Sequence, residues 1–164
     1  MGHPGKFTID SLQFARERGQ RAGDVAVGHL RRLADVLADE EGSLAWKASG
    51  ECDAAGKPFL VLEVSGELHL KCQRCLGALV FQLSIKSHLR LVAPGAAWPD
   101  EGLEEDSYDP IEALEEQPLL PLIEDEVLLA LPIAPRHGSC ALPGYLQDGR
   151  ELSPFAALGR LKKQ

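Results

Sequence analysis

The chain has 164 residues, 45% of them hydrophobic and 26% charged, the make-up of an ordinary soluble globular domain, which excludes a collagen-like, coiled-coil or wholly disordered protein. A chain of this length builds a core without disulfides, so its four cysteines need another account. The net charge of −8 is unevenly spread: residues 92–134 hold twelve of the 25 acidic side chains and no Lys or Arg, leaving 17 basic against 13 acidic groups elsewhere. The chain is thus a mildly basic body with an acidic segment, which serves either as a solvated loop or as a dock for a basic partner.

No apolar run approaches the roughly 18 residues of a membrane span. Met1 to Asp10 lacks the continuous apolar stretch of an export signal. Lys6 stands where myristoylation needs Ser or Thr. These features predict a cytoplasmic protein with reduced thiols and no membrane partner.

Residues 10–40 read as N-terminal helices. Asp10 can cap a short helix that Gly19 ends, and Val27, Leu30, Leu33, Ala34 and Leu37 recur at helical spacing. Arg16, Arg18, Arg21, Arg31 and Arg32 fall among these elements and form either a solvated surface or a basic face for RNA.

Residues 43–93 read as a β-sheet core. A strand over 43–50 alternates Leu44, Trp46 and Ala48. From Leu60 to Cys72 the even positions are apolar or small, and from Leu79 to Leu91 the odd positions are apolar. Antiparallel pairing with position numbers summing to 151 sets Cys72 against Leu79, Leu68 against Leu83 and Glu63 against His88. The turn is then Gln73 to Ala78, with Cys72 and Cys75 at the tip of the hairpin.

Residues 98–118, acidic and interrupted by Pro99 and Pro110, read as a mobile loop. Residues 119–132 read as a helix with Pro121 in its first turn, Glu124 to Glu126 at its N-terminal end and Pro132 as its stop. Residues 133–164 read as an irregular segment followed by a short helix opened by Ser153-Pro154. The whole is expected to be one α+β domain, 1–164: an antiparallel sheet or partly closed barrel, a long hairpin, short flanking helices and an acidic loop.

The motif that carries chemistry is Cys72-x2-Cys75, because two intervening residues let both thiols face one ion from a tight turn. A second pair, His137-x2-Cys140, completes a Cys3His set for zinc joining the hairpin tip to the segment after the helix. Such a site adds folding energy and leaves no position open for a reacting group. Two other readings stand beside it: buried structural thiols, or a redox dithiol, which more often sits at a helix N-terminus. Cys52 reads as structural. Gly-x-Ser-x-Gly, P-loop, His-Glu-x-x-His and Gly-x-Gly-x-x-Gly motifs do not occur, and no catalytic set is predicted. The wet face of the hairpin offers Lys71, Lys86 and Arg90, with His69 and His88 among them and Arg74 at the tip, which form either a basic strip of the kind that tracks phosphates or the half-buried polar edge of a sheet. No exposed aromatic pair is expected beside it for base stacking.

Leu70-Lys71-Cys72-Gln73-Arg74-Cys75-Leu76 after a β-run resembles the signature of the YceD family, the large ribosomal RNA subunit accumulation proteins of bacteria, with plastid relatives. The stretch from Ile123 to Pro132, followed by Pro135, and the tail Ser153-Pro154-Phe155-Ala156-Ala157-Leu158 with Leu161-Lys162-Lys163 are similar to that family too. The likeness runs from about residue 10 to the end of the chain. It implies a non-enzymatic factor for synthesis, processing or stability of 23S ribosomal RNA during large-subunit assembly. Its partner would be that RNA or its precursor, met directly or through a basic ribosomal protein. Many relatives carry several cysteines after the Leu-Pro motif, where this chain has His137 and Cys140. Acidic-adaptor and thiol-redox readings remain the rivals.

Overall fold

The computed structural model describes residues 8–99 and 107–143. Its elements in order are β1 (Thr8–Ile9), α1 (Ser11–Arg16), β2 (Gln20–Ala26), β3 (Ser43–Cys52), β4 (Pro58–Lys71), β5 (Ala78–Val92), β6 (Asp109–Glu112), β7 (Gln117–Pro118) and α2 (Leu119–Ala130). The fold is α+β. Strands β2-β3-β4-β5-β6 form one open sheet, antiparallel except for the parallel β5–β6 pair, and β1 pairs with β7 in a separate two-stranded piece.

Period-two alternation decides which face of the sheet is buried. Leu44, Trp46 and Ala48 of β3, Leu60, Leu62, Val64, Leu68 and Leu70 of β4, and Leu83, Leu89 and Leu91 of β5 point into one core. Phe14 and Ala15 of α1, Val27, Leu30 and Leu33, and Leu119, Ile123 and Val127 of α2 complete it. Each fully buried Leu contributes about 1.5–3 kcal/mol relative to an exposed one. At Gly50 the backbone of α1 lies so close that a Cβ would sit 2.2 Å from the Phe14 carbonyl oxygen, so only glycine fits.

Several expectations are corrected. The apolar repeat at Val27, Leu30 and Leu33 lies on two 3-10 turns, Val27–His29 and Arg31–Leu33, rather than on a second α-helix. A spacing of three is the 3-10 repeat as well as an approximate α one, so burial alone did not choose between them. Gln20–Ala26, expected within the helical region, is instead an edge strand in which only Val25 is buried. The hairpin pairs with position numbers summing to 149, not 151: Leu70 faces Leu79, Leu68 faces Phe81 and Glu63 faces Lys86. A slip of two keeps every side chain on its expected face, and Leu68 and Leu83 are both buried. The slip arises because the turn closes at Cys72, whose N–H donates to the Gly77 carbonyl at 2.9 Å.

Within the expected acidic loop, Asp109–Glu112 and Gln117–Pro118 are strands. Pro110 is tolerated because β6 is a sheet edge. The rest of that loop between 100 and 106, and the expected C-terminal helix, lie outside the described residues. Glu124, Asp125 and Glu126 are not in the first turn of α2, which begins at Leu119. They meet other elements instead: buried Glu124 accepts the Arg32 backbone N–H at 2.7 Å, buried Glu126 accepts from the Ser87 hydroxyl, and Asp125 pairs with the Arg32 guanidinium at the surface.

Candidate metal centre

The β4–β5 turn is built to aim sulfur inward. After Lys71 the chain leaves the ladder; the Leu76 N–H donates to the Cys72 carbonyl at 2.9 Å, and Leu76 takes a left-handed φ of 63°. The Arg74 N–H points at Cys72 Sγ, 3.4 Å away. Cys72 is fully buried and Cys75 half-buried.

The segment after α2 is laced onto this turn. Pro132 ends the helix, and buried Pro135 accepts the Gln73 N–H at 2.8 Å through its carbonyl. His137 then donates from Nε2 to the Ala78 carbonyl at 2.9 Å, which leaves Nδ1 as the lone-pair nitrogen directed at Cys75 Sγ, 3.3 Å away. Cys140 places its sulfur 3.9 Å from that of Cys72. The ligand atoms of Cys72, Cys75, His137 and Cys140 all lie within 4.8 Å of one another.

These spacings suit one ion. Tetrahedral zinc, with Zn–S near 2.3 Å and Zn–N near 2.0 Å, sets sulfurs about 3.8 Å apart and sulfur to nitrogen about 3.5 Å apart. The chemistry of the donors agrees. Backbone N–H groups of Cys75, then of His137 and Arg74, lower the Cys72 thiol to about 5 against the opposing effect of burial. Burial raises the Cys140 thiol, helped by the nearby sulfurs of Cys72 and Cys75. A cation is what would let the sulfurs crowd together deprotonated. Cys52 stands apart, its thiol 3.7 Å from the Ala15 carbonyl.

The structure places the expected basic strip on the open face of the sheet, but much of its charge is already met. Lys86 pairs with Glu63 at 3.2 Å, replacing the expected Glu63–His88 contact. His69 lies between Asp39 at 2.8 Å and Glu67 at 3.4 Å. Lys71 is half-buried, its Nζ 3.5 Å from the Asp35 carbonyl, and Arg74 is exposed at the tip. Arg90 donates to the Tyr108 hydroxyl at 3.0 Å and lies over its ring. An aromatic pair that the sequence did not indicate lies beside it: Phe59 and Tyr108 meet edge to face, 5.6 Å between centroids, and both are half-buried. They are 49 positions apart, and only the parallel pairing of β6 with β5 brings them together.

The family model described as Large ribosomal RNA subunit accumulation protein YceD matches residues 60–162. The Haemophilus influenzae protein of that same name is 30% identical over 174 residues, covering 96% of each chain. No solved structure matches the chain. With the family model over most of its length and a relative matched nearly end to end, the chain belongs to the YceD family.

Proposed function

We propose that this protein is a non-enzymatic cytoplasmic factor that sustains accumulation of 23S ribosomal RNA during large-subunit assembly, binding that RNA or its precursor. The observation that carries the reading is the near full-length match to a large ribosomal RNA subunit accumulation protein. The site supports a scaffold rather than a catalyst. Cys72, Cys75, His137 and Cys140 would hold a zinc ion, and bound zinc would supply cross-linking of the hairpin tip to the segment after α2. Four protein donors leave no position for water or substrate. Convergence of His137 and Cys140 on the Cys72–Cys75 turn also favours metal holding over a two-thiol redox couple, which has no use for either residue.

The acidic-adaptor reading is weakened by Glu124 and Glu126, which are buried and already accept hydrogen bonds from Arg32 and Ser87. The deciding experiment measures the ratio of mature large- to small-subunit ribosomal RNA in cells depleted of the protein. The expected result is a selective fall in large-subunit RNA that wild type restores and Cys72→Ser/Cys75→Ser does not. An unchanged ratio on depletion rejects the proposal.

A further inference from the structure

At the start of β4, twelve residues and so up to about 40 Å of strand from the cysteine turn, an open cleft of about 440 Å³ is lined by Asp53, Lys57, Phe59, His88, Arg90 and Tyr108. Three neighbouring strands build it. Phe59 of β4 is directly opposite Arg90 of β5, and Arg90 is opposite Pro110 of β6, two residues after Tyr108. Period-two alternation therefore brings the rings and the guanidinium to one face of the sheet.

We propose that this cleft docks one unpaired nucleotide of RNA, its base against the Phe59 and Tyr108 rings and its phosphate between Lys57 and Arg90. This rests on the RNA-binding part of the function proposed above. Aromatic rings beside fixed cations are what sequence-tolerant binding of single strands requires, since every base offers a π-face and every linkage a charge. Arg90 is held in place by Tyr108, through the 3.0 Å hydrogen bond and a guanidinium carbon 5.5 Å from the ring centroid, so its remaining donors are oriented in advance. The carboxylate of Asp53 does not cancel the site: Oδ1 accepts the backbone N–H groups of Ala55 and Lys57, each at 2.8 Å. Lys57 and Arg90 then leave the lining positive, unlike the Lys86–Glu63 region nearer the turn.

Fluorescence anisotropy of the full chain with labelled dodecauridylate or dodecaadenylate, and with an RNA duplex of equal length, tests the assignment. Binding of the single strands is expected to exceed that of the duplex. Tyr108→Ala and Phe59→Ala should weaken it roughly 5- to 150-fold, the range for loss of a stacked base. Tyr108→Phe should retain most of the affinity. Lys57→Gln lies in an exposed turn and tests the site without touching packing; it should flatten the salt slope by about 0.7, one single-strand phosphate contact. Single-strand binding that all three weakening variants leave unchanged overturns the cleft and leaves RNA binding elsewhere intact. Equal binding of the duplex, or of oligoglutamate of matched charge, overturns the unpaired-nucleotide assignment, the latter in favour of an acidic protein partner. No binding by wild type overturns the cleft and direct RNA contact together, while the ribosomal RNA ratio in depleted cells decides the accumulation function separately.

Discussion

Cys72 carries more of the centre than its three partners because its backbone and its sulfur are both committed. Its N–H and carbonyl close the turn, and the Arg74 N–H is aimed at its sulfur. Serine in its place keeps the turn hydrogen bonds and removes the soft donor. Cys72→Ser is therefore expected to lower bound zinc far below one per chain and to cost about 2 kcal/mol or more, as loss of a structural metal does. Metal analysis of protein purified without chelator, with denaturant melts, checks both; full zinc content in the variant would reject the ligand assignment. Leu76 offers the contrast. It is 49% exposed and sits at a left-handed φ that costs a non-glycine residue roughly 1–2 kcal/mol. Leu76→Gly should keep the zinc and leave stability unchanged or raised by up to about 1 kcal/mol. A variant that loses metal would show that the leucine packing, not the backbone turn, sets the site.

Among the elements, the 3-10 segment is tied to β4 by more than its leucines. Ala38 N–H donates to the His69 carbonyl at 2.7 Å, Lys71 N–H donates to the Val36 carbonyl at 2.8 Å, and the His69 ring lies against Asp39. The Asp39 hydrogen bond, then that of Glu67, raises His69 above its ordinary value, while His69 and then the Glu41 N–H lower Asp39. The raised histidine stabilises the fold fully below pH 6.5, its unfolded value, and loses that contribution as pH rises through its folded value. The lowered carboxylate contributes above its unfolded 3.8 and loses its share as pH falls through its folded value. The pair is thus strongest in mildly acid solution, and Asp39→Asn should lower Tm more at about pH 5.5 than at about pH 8.5. An equal drop at both values would mean that the ring is uncharged in the folded state. The same segment shows what the sequence could tell. Leu33 and Leu37 were legible as core, but their backbone was not, because burial every third or fourth residue suits 3-10 turns and α-helix alike. The long β4 and β5 were legible from strict alternation, and parity survived a register error of two. Edge strands β2 and β6 were not, since an edge buries too little to leave a pattern. The four metal donors were legible as two spaced pairs; the Phe59–Tyr108 cleft was not, because it depends on a crossover that no local spacing encodes.

At the scale of the whole molecule, two kinds of cohesion divide the work. The sheet is held by a continuous apolar face, with Leu44, Leu60, Leu62, Leu68 and Leu89 all essentially excluded from solvent, and this needs no metal. The segment after α2 is different. Ile133 is fully exposed, and the contacts that tie 133–143 to the hairpin tip include the Gln73–Pro135 and His137–Ala78 hydrogen bonds together with the Cys3His cluster. Metal binding energy therefore belongs to local order at one end of the sheet rather than to folding of the whole. Removing zinc with a chelator should lower Tm yet leave a folded, cooperative protein. Amide exchange should accelerate over 72–78 and 133–143 while Leu44 to Ala48 and Leu60 to Val64 stay protected, and added zinc should restore the difference. Complete unfolding on chelation would make the ion a determinant of the entire fold. Unchanged exchange at the tip would mean that hydrogen bonds alone hold the segment, leaving the cluster without a structural role.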